Sequence, residues 1–173
     1  MTDRETLCAW AAERLAPSPS ATYQDTCRGI GSLLGELVQA QVAVKFTSLS
    51  GAPFSGATVR LADGSYIVYC ANSRSWYHRM GILLHELSHV LLGHEPTSLE
   101  DMRRQFLPHL PGRMARIIAA RSSHTGPQER EAEDLAALLL ERLTERRGPA
   151  PGALPPEASA RLRRIAEELA HLR

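Results

Sequence analysis

His85-Glu86-Leu87-Ser88-His89-Val90-Leu91-Leu92-Gly93-His94 is the stretch that decides how this chain is read. Histidines four residues apart lie about 40° from one another around a helix, so both imidazoles can reach a single ion. Glu86 stands beside the first of them, placed to hold a water at that ion and accept its proton. A random arrangement of this composition gives about 0.02 such matches. Met80, Leu83, Leu84, Leu87, Val90 and Leu91 line one side of the same helix, and His85 and His89 point to the other. A buried helix that presents two histidines and an acid to a cleft needs a chemical reason. Ser73 or Ser75 caps its start, and Gly93 reads as its C-cap, which leaves His94 past the end of the ligand helix. A third histidine in the same run would require Gly at 92 and His at 95; Leu92 and Glu95 stand there instead.

Zinc needs a third protein ligand. Further along, Glu129-Arg130-Glu131-Ala132-Glu133-Asp134-Leu135-Ala136 opens a helix expected over 127–147. Ala132, Ala136, Leu140 and Leu143 share one face. At 100° per residue Glu129 and Glu133 project along that stripe, and Glu131 and Asp134 project away. Two inward acids need a compensating charge, which a zinc ion and its histidines would supply. The reading takes Glu129 as the third ligand and Glu133 as the acceptor for a ligand histidine N–H. A slip of the helix phase would bring Gln128 or Glu131 to the site instead.

Around these motifs the chain of 173 residues fits one domain. Its composition is that of a globular protein, 43% hydrophobic and 23% charged with a net charge of +1. No apolar run approaches about 18 residues, and Met1 to Glu5 does not resemble a secretory signal. Cys8, Cys27 and Cys70 are too few for a disulfide framework, so a reduced, cytoplasmic protein is expected. Helices are expected over 2–15 (Leu7, Trp10, Ala11 and Leu15 inward) and 23–41 (Ile30, Leu33, Leu34, Leu37 and Val38 inward). Val42 to Thr47 alternates as a strand, and 58–61 with 66–70 form a hairpin closed by Asp63-Gly64. After Pro96 the expectation is all-helical, over about 98–107, 112–121, 127–147 and 156–171. Pro149, Pro151, Pro155 and Pro156 form a linker before the last helix. The fold class is α+β, a zincin-like domain over 1–173 with its core at 23–145 and a small three-stranded sheet on helices.

With both motifs in hand, the chain resembles the ImmA/IrrE-type metallopeptidases, whose second motif runs roughly Glu-x-Glu-Ala-Asn-x-Phe-Ala. The likeness spans residues 23–145. Glu133 stands at the Asn position and Leu135 at the Phe position, and the basic segment 97–125 is longer than in a minimal member. The resemblance implies one Zn(2+) per chain and a narrow-specificity endopeptidase that cleaves a helix-turn-helix repressor. It thereby implies control of phage, mobile-element or DNA-damage-response genes. One branch, the CapP peptidases of bacterial antiphage systems, is held inactive until single-stranded DNA appears, with a cysteine over the zinc. On that likeness Cys70, at the end of the strand entering the zinc helix, becomes a candidate inhibitory ligand.

In the mechanism expected from these residues His85, His89 and Glu129 hold zinc, and Glu86 is the catalytic base and then acid. A substrate strand would add along Tyr66, Ile67, Val68 and Tyr69 up to Cys70. His78 lies two turns before His85, beyond ligand reach. His109, His124, Tyr69 and Tyr77 are equal candidates to polarise a scissile carbonyl. Cys8 and Cys27 read as packing residues. Arg103, Arg104, Arg113, Arg116 and Arg121, with no acid among 102–121, suit single-stranded DNA or simply a solvated face. Two other readings compete with the peptidase: a module that sequesters a repressor without cutting it, and a nucleic-acid sensor whose basic segment gates the site.

Overall fold

The computed structural model describes residues 4–18, 20–49, 55–95, 97–98 and 124–146. The elements run α1 (Arg4–Arg14), α2 (Tyr23–Val38), β1 (Val42–Thr47), β2 (Gly56–Arg60), β3 (Tyr66–Ala71), α3 (Trp76–Leu91), β4 (Thr97–Ser98) and α4 (Gly126–Glu145). The architecture is α+β. A small mixed sheet in the order β1-β3-β2-β4 lies against α2 and α3, and α4 packs on α3 with α1 beside it. Among the described residues no helix is long and apolar enough to cross a membrane.

The ends of the elements follow from local chemistry. Thr22 caps α2 in a reciprocal box with Asp25, and Thr125 caps α4 in the same way with Gln128. Ser75 accepts the His78 N–H at the start of α3. Gly64, at φ 84°, turns the β2–β3 hairpin, and the Asp63 carboxylate accepts from the Ser65 N–H (3.0 Å) and hydroxyl (2.6 Å). Those bonds hold the Asp63 carboxyl below its ordinary range.

β3 is the axis of the sheet. It pairs in parallel with β1 (Val44 opposite Val68) and antiparallel with β2 (Thr58 opposite Val68). Val68 and Cys70 face the helices and join one core with Ile30, Leu33, Leu34, Met80, Leu83, Leu84, Leu87, Leu135, Leu139 and Leu143. Each fully buried leucine of that set contributes about 1.5–3 kcal/mol. α3 is buried on more than one face, since the sheet and α2 cover one side and α4 another; Ile82, Glu86, Ser88 and His89 are therefore buried with its leucines.

Three expectations are corrected here. Trp10 is 41% exposed, carrying the Arg14 guanidinium over its ring, while Cys8, Ala11, Ala12 and Leu15 form the packed side of α1 and its end. Thr97 and Ser98 extend the sheet beside Val59 and Arg60, so the chain after Pro96 begins as strand. Tyr66–Tyr69 do not form a free edge, because β1 and β2 occupy both sides of β3. Beyond Ser98, the helix expected over 98–107 lies outside the described residues, as do those expected over 112–121 and 156–171 and the proline-rich linker.

Candidate metal centre

Packing of α4 onto α3 brings the two sequence motifs together. Thr125 starts α4 so that Glu129 sits in its first turn, and Leu135 and Leu139 seat the helix against α3. His85 Nε2 and His89 Nε2 stand 3.1 Å apart. Glu129 Oε2 lies 3.4 Å from His85 Nε2, and Glu129 Oε1 lies 3.6 Å from His89 Nε2. Donors on a tetrahedral zinc ion, at metal–donor distances of about 2.0–2.1 Å, are separated by about 3.3–3.4 Å. The three spans bracket that edge, with the carboxylate presenting a different oxygen to each ring. Two imidazole nitrogens and a carboxylate are also a donor set suited to zinc. His85, His89 and Glu129 could therefore hold one such ion, with the His85 side chain 24% and the His89 side chain 5% exposed.

A cleft of about 280 Å³ opens over these donors, with Gly56, Ala57, His78, Ile82, His124 and Glu133 in its wall. Glu86 lies in the same wall at 6% exposure, and its Oε2 accepts a 2.7 Å bond from the Thr58 hydroxyl. β2 comes so close to α3 that a Cβ at Gly56 would stand 2.6 Å from Ile82 Cγ2 and 2.8 Å from Glu86 Oε1. Glycine at 56 is thus the residue that lets the strand border the carboxylate. A carboxylate held by a hydroxyl, beside donors that could hold an ion, has the chemistry to move a proton within the cleft.

Two further histidines crowd His89. The His124 ring stacks on it with centroids 3.9 Å apart and planes 14° from parallel. Burial lowers the His124 pKa against the opposing pull of Glu129, favouring a neutral ring. His94, 8% exposed, sets its Nδ1 3.0 Å from His89 Nδ1. Of the candidates for polarising a carbonyl, His124 is in the cleft wall. Tyr69 is buried in β3, and exposed Tyr77 packs edge-on against Tyr23. His109 and the five arginines from Arg103 to Arg121 lie outside the described residues.

The other site expectations need correction. Glu133, read as projecting inward, is exposed at the cleft wall, and the group at the Nδ1 of His89 is His94. Glu131, read as projecting away, faces His94 Nε2 at 3.5 Å. Cys70 is fully buried on the core side of β3, its thiol directed at the Ala71 and Arg79 carbonyls, and it is absent from the cleft wall. Burial pushes that thiol up to about 12, far from the thiolate that a metal block requires. Cys8 and Cys27 are buried as well. Iodoacetamide at about pH 8 is therefore expected to leave the folded chain unlabelled and to label all three cysteines after unfolding. Intact mass reads the outcome, and rapid labelling of native Cys70 would contradict its placement.

Comparison of the chain with protein-family models, with curated proteins and with solved structures finds no match.

Proposed function

We propose that the chain is a zinc-dependent endopeptidase that cuts a specific protein partner. The observation that carries this reading is the convergence of His85, His89 and Glu129 within 3.1–3.6 Å, with Glu86 in the wall of the same cleft. Zinc bound to the three ligands would polarise a peptide carbonyl and make water acidic enough to attack near neutral pH. Glu86, steadied by Thr58, accepts the proton of the attacking water and returns it to the departing amine. His124, in the cleft wall and stacked on His89, would donate a hydrogen bond to the substrate carbonyl oxygen.

The substrate strand is assigned to β2. That strand pairs with β4 only at Val59 and Arg60, and among the described residues Gly56 and Ala57 have no strand on their outer side. Both line the cleft, so a peptide extended along them would pass over Glu86 and the donor cluster. The resemblance to ImmA/IrrE-type peptidases points to a helix-turn-helix repressor as the partner.

The test is incubation of zinc-loaded protein with helix-turn-helix repressors from the same genome, followed by intact-mass analysis. A new internal amino terminus that disappears with a zinc chelator is expected. A repressor held in a stable complex and never cut would overturn the peptidase and favour the sequestering module.

A further inference from the structure

We infer that His94, backed by Glu131, is a positioning residue that fixes the ring of His89 for metal binding; the inference rests on the zinc reading above. It begins with the end of α3. Gly93, at φ 72°, turns the chain, its N–H bonding to the Val90 carbonyl (3.1 Å) while the His94 N–H bonds to the His89 carbonyl (2.9 Å). This is the paired closure in which the second residue past a helix folds back over the third residue from its end. An apolar contact is usual between those two positions. Here they are His94 and His89, and the contact is Nδ1 to Nδ1 at 3.0 Å.

Two imidazole nitrogens at that distance share one proton, so one donates and the other accepts. The Nε2 of His89 faces His85 and Glu129, and a nitrogen that binds a metal carries no proton. The proton of neutral His89 then sits on Nδ1 and is donated to Nδ1 of His94. With Nδ1 accepting, the His94 proton lies on Nε2, which faces Glu131 Oε2 at 3.5 Å. One assignment thus accounts for both Nδ1 atoms and turns the His94 N–H toward the Glu131 carboxylate. It leaves the lone pair of His89 aimed at the donor cluster and makes that ring a better ligand. The burial of His94 and the backbone bond to the same residue keep the two rings in register.

His89, His94 and His124 also place ligand atoms within 4.8 Å of one another. They are poorly arranged to share a second ion. His124 lies nearly parallel to His89, so the in-plane lone pairs of the two rings do not converge on one point. The Nδ1 pair stands at hydrogen-bond distance.

Zinc affinity by competition with a chromophoric chelator separates these roles, with the visible spectrum of the Co(2+) form as a second readout. His94→Leu is expected to weaken zinc about 10–100-fold and to shift the cobalt bands. His94→Asn, whose side-chain oxygen occupies the place of Nδ1, is expected to restore most of the affinity. Glu131→Gln is expected to lose less than His94→Leu, because that carboxylate is half exposed. If His94→Leu does not fold, His94→Phe replaces it, keeping a planar ring at this place but lacking any acceptor, and the same loss is expected. Wild-type affinity and cobalt spectrum in the acceptor-less variant would overturn the positioning role alone. Total loss of zinc in that variant with retention in Glu129→Gln would overturn it too, making His94 a ligand. A wild type that binds neither metal would overturn the zinc reading and this inference together.

Discussion

Glu86→Gln is expected to keep its zinc and to cut the partner about 10²–10⁴-fold more slowly than wild type. The substitution preserves shape where shape matters. Gln has the same reach, its side-chain oxygen can still accept from the Thr58 hydroxyl, and the tight approach of Gly56 is undisturbed. Glu86 is not one of the three converging donors, so the metal site should be untouched. What is lost is the group that takes a proton from water and hands it to the amine. Rates of appearance of the new amino terminus, together with zinc per chain, read both halves. Cleavage within a few-fold of wild type would remove Glu86 from the chemistry, and loss of zinc would mean that the carboxylate serves the metal instead.

Glu129→Gln is expected to weaken zinc by more than about 100-fold, because even groups that only orient a ligand cost 10–100-fold when removed. A neutral amide replaces the one charged ligand, and His85 and His89 alone cannot complete a closed set of three. The fold should survive. Glu129 lies in the capped first turn of α4, while Ala132, Leu135, Leu139 and Leu143 seat that helix on the core. Chelator competition gives the affinity and the far-ultraviolet spectrum gives the helix content. Unchanged affinity would move the third ligand elsewhere, with His94 and His124 the nearest alternatives.

The sequence made α3, β1 and the capping of α3 legible because each carries a strong local signal: periodic leucines, strict alternation, or a hydroxyl one residue before the helix. The position of Glu129 was also legible, whereas that of Glu133 was not. On α4 the buried arc runs from Leu135 through Leu139 and Ala132 to Ala136. At 100° per residue Glu129 falls on the border of that arc and Glu133 about 40° beyond it. Reading the stripe through Leu140, which is only partly buried, rotated the expected arc toward Glu133.

The edge-strand expectation for β3 failed against a signal that was present. Ile67-Val68-Tyr69-Cys70 is a continuous apolar run, the pattern of a strand covered on both faces, and such strands lie inside sheets. The same burial explains Cys70, since a side chain on the helix-facing side of a central strand is enclosed by α3. His94 was passed over because Gly93 was read as the end of the helix. The glycine turn that ends a helix also returns the next residue to it, so a histidine after Gly93 was already addressed to His89.

Zinc per chain in wild-type protein, purified with zinc present and then dialysed free of loosely held metal, tests the central claim most directly. The arrangement of His85, His89 and Glu129 predicts one zinc for each chain, retained through dialysis and removed by a strong chelator. A folded wild type that holds none would contradict the account and leave the cleft without the ion on which the peptidase reading depends.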